Sequence, residues 1–301
     1  MSPADPWQFP SPHPSGTAAI WTGGQFWVSG EAVRVLSFGT AASGWTEALT
    51  ELHEEAAGRD HFLDVASRAH ALAQVQRAVR LAPPVVLPVI LEVGCSSGYF
   101  LEELRAAMPQ ARIIGADYTL GTLESLGGRL HDIPLLHFDL TRCPLPDQCV
   151  DVVVLLNVLE HIADDAAAIA QVRRILRPGG SAIIEVPAGS RLYDSYDRGL
   201  MHFRRYDMVC LEAKLRAAGL TPAERSHLGF MLFPAFWLTK KLSRLRGRDA
   251  DPRPQDGVVN SINLSKRAGV LGHGLMRLEA ALRSRLYLPF GVRCLVRAQR
   301  L

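Results

Sequence analysis

From Val85 to Pro187 the chain alternates continuous apolar, β-branched runs with amphipathic segments, and this alternation limits the fold more than any other feature. The apolar runs are "VVLPVILEV", "RIIGAD", "PLLHFDL", "VDVVVLLN" and "SAIIEVP". Between them lie "YFLEELRAAM", "TLGTLESL" and "DDAAAIAQVRRIL", each with apolar residues at helical spacing. A strand that is apolar along its whole length is buried on both faces, and helices between such strands supply that cover. The expected fold class is therefore α/β, a doubly wound and mostly parallel sheet. "RPGG" ends the last of these helices, and the connections are short.

Ligands of such sheets lie at the carboxyl ends of the strands, where the strand order reverses. The loop Gly94 to Gly98, in "ILEVGCSSGYFLEEL", is at such an end. Gly94 allows the turn, Gly98 lets the helix start come close to a ligand, and the helix N-terminus offers free N–H groups. A dinucleotide loop would read GxGxxG and a Walker loop GxxxxGK[ST]; neither pattern is complete here. Acidic residues are more informative. Glu92 lies two residues before Gly94, Asp117 ends the second strand roughly 20 residues after the loop, and Asp139 ends "LLHFDL". A carboxylate placed like Asp117 can accept both ribose hydroxyls, and Asp139 could reach an adenine amino group. Taken singly, either could equally be a helix cap or turn residue.

Four stretches, "ILEVGCSSGYFLEEL", "IIGADYTL", "HFDLTRCPLPDQCVDVVVLLNVLEHI" and "RILRPGGSAIIEVP", resemble the successive motifs of class I S-adenosylmethionine-dependent methyltransferases. The bacterial type 11 and type 12 group, which includes quinone-ring methylating enzymes, is the most similar. The resemblance covers about Val86 to Pro187. It departs from the usual ExGxGxG loop at Ser96, which stands at the middle glycine. It implies a seven-stranded Rossmann-like sheet with S-adenosylmethionine as cofactor. Glu92 and the main chain of Gly94, Ser96 and Gly98 would hold the methionine end. Asp117 would bind the ribose, Asp139 and the Leu140 main chain would face the adenine, and Asn157 would lie beside the amino-acid part. It also implies a last antiparallel strand, "GVRCLVRAQR", paired with the sixth.

Two segments are candidates for the chemistry. Glu160 and His161 follow the fourth strand at the cofactor end, where an acid–histidine pair can line an acceptor pocket or merely open the next helix. "DRGLMHFRRYD", Asp197 to Asp207, follows the fifth strand and carries an H-x-R-R-Y segment similar to that of some bacterial relatives. Arg204 and Arg205 could bind an acceptor carboxylate or phosphate and Tyr206 could pack on it. The alternative is an arginine knot tied to Asp194, Asp197 or Asp207. His202, or else His161, is expected to assist removal of a proton from the acceptor, because imidazole titrates near neutral pH. Aligning a nucleophile with the methyl group would supply much of the remaining rate.

The expected organisation is a mostly helical extension over 1–84, a cofactor-binding core over 85–230, a helical, basic insertion over 231–288 and the final strand over 289–301. In the extension, helices are expected at Thr46 to Ala57 and after Asp60, the second ending at "APP". They would cover the acceptor pocket, with Trp21, Trp27 and Trp45 as aromatic walls. His53, Glu54, His61, Asp64 and His70 fall in this region without any tight ligand spacing, and no metal site is expected. From Lys240 onward basic residues exceed acidic ones by about ten, most densely in "KKLSRLRGR". "GFMLFPAFWLTKKLSRLRGR" is expected to pack as a lid or homodimer face, with an anionic membrane surface as its alternative.

The five scattered cysteines contain no CxxC pair, which suits a reducing compartment. The N-terminus lacks a basic start and apolar core, so no secretory leader is expected, and no apolar run reaches the ~18 residues of a membrane span. A cytoplasmic enzyme is expected, with a peripheral place at the inner membrane surface as the alternative, acting on a small-molecule or lipid-linked acceptor. A net charge of +3 gives no reason to expect nucleic acid. A non-catalytic S-adenosylmethionine-binding sensor or partner is the alternative, and a nicotinamide-dependent oxidoreductase is disfavoured by the incomplete loop.

Overall fold

The structure, a computed structural model, describes residues 7–13, 16–39, 59–83, 85, 87–245, 269–283 and 286–301. The chain begins with five short strands, β1 (Trp7–Phe9), β2 (Ala19–Trp21), β3 (Phe26–Val28), β4 (Glu31–Val33) and β5 (Val35–Ser37). The helix α1 (Phe62–Leu81) follows, and then the alternating core. The core comprises β6 (Val89–Val93), α2 (Tyr99–Ala107), β7 (Arg112–Asp117), α3 (Leu120–Gly127), β8 (Leu135–His137), β9 (Val150–Leu156), α4 (Asp165–Ile175) and β10 (Leu176–Pro187). Beyond it lie α5 (Ser195–Gly199), α6 (Met208–Ala217), β11 (Leu220–Leu228), α7 (Phe233–Leu245), α8 (Gly269–Arg283) and β12 (Arg293–Arg300).

The main sheet has the order β11-β12-β10-β9-β6-β7-β8-β5. Strands β5 to β10 in this sheet run parallel, and β12 is antiparallel to both neighbours. The strand order reverses between β6 and β9, so the loops after these two strands flank a crevice. All five residues of β6 and the first six of β9 are buried, as their apolar composition requires. One face packs Leu91, Val93, Val153 and Ile184, among others, against α4 and α6. The other packs Ile90, Val152, Val154 and Ile183 against α1 and α2.

Three features differ from expectation. The sheet has an eighth strand, because β5 pairs with β8 through Val35↔Leu135 to Ser37↔His137. A three-residue strand is too short to leave a period in the sequence. The last strand, β12, pairs with β11 as expected, and it also pairs with β10 through Arg293 to Gln299.

The extension is not mostly helical in its described part: β1 to β4 form a separate antiparallel sheet. Phe26 and Val28 point into its core and Trp27 points out, which is the alternation of a half-buried strand. Trp21 packs in that sheet at 4.8 Å from the Phe26 ring, and Trp27 is 43% exposed, so both belong to the extension's own sheet. The expected helix at Thr46 to Ala57, with Trp45, lies outside the described residues. The second expected helix is present as α1, starting after His61 rather than Asp60. The insertion supplies α7 and α8. A β-carbon on Gly272 of α8 would come within 2.5 Å of the Phe62 ring, so α1 and α8 touch closely there. Among the described residues no helix is long and apolar enough to cross a membrane.

Candidate active site

The first half of the site forms where β6 ends. Gly94 has φ +77°, and a β-carbon there would lie 2.5 Å from Val158 Cγ2 in the loop after β9. Both backbone angle and space thus demand glycine. Ser96 also adopts the left-handed region, at φ +41°, and its N–H donates to Asp117 Oδ2 at 3.0 Å. That conformation explains why glycine is usual at this position. Gly98, also left-handed, opens α2. The other oxygen of Asp117 accepts from the Thr119 N–H (3.0 Å) and hydroxyl (2.6 Å). The loop and the β7 end are therefore fixed to each other through one carboxylate.

Glu92 is buried on β6 between β7 and β9, and its Oε2 has no hydrogen-bond partner among the described residues. Burial first, then the charges of Asp117 and Glu103, push its pKa well above the usual carboxylate range. A buried acceptor of this kind is costly unless a donor or cation completes it. Asp139 caps the 3-10 turn Leu140–Arg142, accepting from the Thr141 N–H and hydroxyl, both at 2.8 Å. The Leu140 side chain is buried beneath it. Asn157, at φ +56° after β9, donates from Nδ2 to Glu185 Oε1 (3.1 Å) and from its N–H to the Glu185 carbonyl (2.9 Å).

The second half gathers around the loops after β9 and β10. Glu160 and His161 lie on the 3-10 turn Leu159–His161, and His202 follows α5. The Phe203 N–H donates to the Glu160 carbonyl at 2.8 Å, which joins the two loops. The His161 and His202 rings meet edge to face with centroids 4.7 Å apart. The three expected catalytic residues are thus brought together from segments some 40 positions apart in the chain: one ligand atom from each of Glu160, His161 and His202 lies within 4.8 Å of the others. Glu160 is 0% exposed, neither of its carboxylate oxygens has a hydrogen-bond partner among the described residues, and burial pushes its pKa up to about 8.

In the sequence Asp197 is a candidate salt-bridge partner of the arginines, and Lys240 opens the basic end of a segment expected to pack as a lid or dimer face. The structure gives both a larger part. Asp197 Oδ1 is 2.9 Å from His202 Nδ1, and Arg205 Nε donates to both Asp197 oxygens at 2.7 and 2.8 Å. Lys240 of α7 is 7% exposed and reaches Asp194 (2.6 Å) and Asp197 (3.3 Å). Burial would raise the Asp197 pKa, but His202, Arg205 and Lys240 hold it below the usual range. Burial lowers the His202 pKa against the opposing pull of Asp197. Beside this knot, Arg293 of β12 bridges Glu185 (2.7 Å) and Asp64 of α1 (2.6 Å), and the Ser67 hydroxyl also donates to Glu185. The spacing of these residues along the chain gives no sign that they meet.

Arg204, Arg205 and Tyr206, expected as acceptor ligands, each have partners within the protein. Arg204 donates to the Ile162 and Ala163 carbonyls and pairs with Asp165, while Tyr206 is buried with its hydroxyl on Asp165 at 2.8 Å. Arg205 is engaged by Asp197 and the Ala188 carbonyl. All three build the loop. Of the N-terminal set, His61 and Asp64 pair with each other at 3.0 Å, and His53 and Glu54 lie outside the described residues.

Residues 91–184 match the type 11 methyltransferase domain family. Over these residues the chain is similar to S-adenosylmethionine-dependent methyltransferases. The methyltransferase domain is 34% identical over 132 residues to a Mycolicibacterium smegmatis protein described as a probable S-adenosylmethionine-dependent methyltransferase, covering 43% of this chain and 51% of that one. It is 30% identical over 95 residues to demethylmenaquinone methyltransferase of a Mycobacterium species, covering 32% of this chain and 40% of that one. The chain spans about half, or less, of the length of the curated relatives it matches. In fold it is similar to Haemonchus contortus phosphoethanolamine N-methyltransferase 2, with a TM-score of 0.53 at 14% identity over 85% of this chain and 58% of that one.

Proposed function

We propose that the chain is an enzyme that moves a methyl group from S-adenosylmethionine to a small-molecule or lipid-linked acceptor by in-line displacement, with His202 and His161 assisting loss of the acceptor's proton. The observation that carries this is the unpartnered, buried Oε2 of Glu92 beside the left-handed turn at Gly94 and Ser96. A carboxylate in that position suits a ligand that brings a cationic amino group, and the sterically enforced glycine keeps the turn open to it.

When bound, S-adenosylmethionine supplies a methyl group already activated on a positively charged sulfur. Glu92 and the main chain from Gly94 to Gly98 would hold its amino-acid end, with Asn157 alongside. Asp117, already oriented by the Ser96 N–H and by Thr119, would accept the ribose hydroxyls. Asp139 and the Leu140 main chain would face the adenine. The acceptor would enter beside Glu160, His161 and His202, where Asp197 holds the His202 ring and the Arg205–Lys240 knot fixes Asp197. Alignment by these fixed groups would supply much of the rate.

Calorimetry with S-adenosylhomocysteine and with NAD tests the cofactor assignment: the first is expected to bind and the second not. Transfer of labelled methyl to an acceptor then tests catalysis. Loss of S-adenosylhomocysteine binding on Asp117→Ala is expected, and binding retained at full strength would count against the site.

A further inference from the structure

We propose that Glu160, His161 and His202 bind a divalent first-row transition-metal ion, and that the methyl acceptor is a hydroxylated small molecule held by that ion through oxygen. The acceptor part of this rests on the methyl-transfer function proposed above, whereas the ion site rests on the protein's own side chains. It runs against the sequence, which suggests no metal ligand spacing, because the donors come from two loops that only the fold brings together.

Four observations support the site. The donors are one carboxylate and two imidazoles whose ligand atoms all lie within 4.8 Å of one another. Bonds of about 2 Å place ligand atoms roughly 3 Å apart, so small side-chain rotations close the set around an ion. Glu160 is fully buried, and neither of its oxygens has a hydrogen-bond partner among the described residues. An ion supplies what the protein does not. His202 has its Nδ1 on Asp197 at 2.9 Å, which leaves Nε2 as the ligand atom and gives the carboxylate–histidine–metal relation that orients and strengthens imidazole ligands. The Asp197 carboxylate is itself fixed by Arg205 and Lys240. A histidine acting alone as a base would explain the His202–Asp197 pair but not the bare carboxylate of Glu160 beside it.

The ligand set also indicates the chemistry. Two nitrogen donors and one oxygen suit manganese, iron, cobalt or zinc better than calcium or magnesium. Three protein ligands leave positions open, as in catalytic rather than structural sites. A hydroxyl bound there gives up its proton to solvent more readily, and its oxygen keeps the electron pair with which it attacks the methyl carbon as the S–CH3 bond breaks, its electrons going to the sulfur of the departing S-adenosylhomocysteine. His161 and His202 then assist deprotonation as ligands. An acceptor with two adjacent oxygens would fill two open positions and be held in register.

The test is a titration of the metal-stripped full chain with Mn2+ alone, followed by loss of the free-ion electron paramagnetic resonance signal, and with Co2+ alone, followed by visible absorption. About one ion per chain is expected, and Glu160→Gln and His161→Gln should each weaken binding by about tenfold or more. Thermal melting of the metal-free samples should show both variants folded, and their S-adenosylhomocysteine calorimetry should match the wild type. No saturable Mn2+ or Co2+ binding by the wild-type chain overturns the proposal, as does unweakened binding by both folded variants. Ion binding without S-adenosylhomocysteine binding supports the metal site and counts only against the cofactor assignment. S-adenosylhomocysteine binding without ion binding does the reverse.

Discussion

Ser96 has a side chain at a backbone angle that favours none, φ +41°. An L-residue in the left-handed region costs about 1–2 kcal/mol, and glycine escapes that cost while losing about 0.5–1 kcal/mol to chain entropy. Ser96→Gly should therefore leave S-adenosylhomocysteine affinity within a few-fold, and its melting temperature should equal or exceed that of the wild type. Ser96→Val, with a branched β-carbon, should lower both. At Asp197 the arithmetic is different. Its carboxylate meets His202, Arg205 and Lys240 in a buried knot, so Asp197→Asn leaves Arg205 without its carboxylate and Lys240 with Asp194 alone. A loss of about 3–5 kcal/mol is expected in urea denaturation, together with a fall in turnover. At this scale the sequence located Glu92, Asp117 and Asn157 at or next to the ends of strands, where they lie. It held no sign that Arg204 and Tyr206 meet Asp165. An arginine facing a ligand and an arginine facing a buried aspartate look alike in one dimension, and Asp165 reads as an ordinary helix-start residue.

Among the elements, α7 shows most plainly how position within a helix decides what a charge does. Lys240 turns inward to Asp194 and Asp197, while its neighbour Lys241 is exposed against Trp237. Lys240→Ala should cost several kcal/mol of stability, on the order of a broken buried pair, and Lys241→Ala less than about 1 kcal/mol. Equal losses in chemical denaturation would mean that α7 does not pack as described. The helix α1 carries a pH-sensitive group. Burial, with Arg283 adding to it, lowers the His70 pKa from 6.5 to about 3. Between these values the unfolded chain holds a proton at His70 that the folded chain does not. Stability should therefore fall as pH drops from 6.5 towards 3, and His70→Leu should flatten that part of the stability–pH curve. The long core strands and helices were legible because each repeats its period several times. β1 to β5 were not, since three residues give an alternation no room to show.

At the scale of the whole molecule, the site is braced by contacts between distant parts of the chain. Arg293 near the C-terminus joins Asp64 of α1 to Glu185 of β10, and Glu185 in turn holds Asn157 beside the cofactor loop. The sequence showed the sheet and its reversal point, but not these cross-links, which depend on how the extension and the last strand close over the core. Removing residues 293–301 should leave the facing edges of β10 and β11 unpaired and produce aggregated protein, measured as loss of monodisperse material in light scattering. The position of β12 also sets an order of events during synthesis. Its two neighbours are made before it, and until Arg293 to Arg300 leave the ribosome each has an open edge where β12 belongs. The nascent chain therefore spends the time needed to make α7, α8 and the segment between them with its central sheet divided. A chaperone that shields strand edges would act in this interval, and the active site can close only once the last strand is in place.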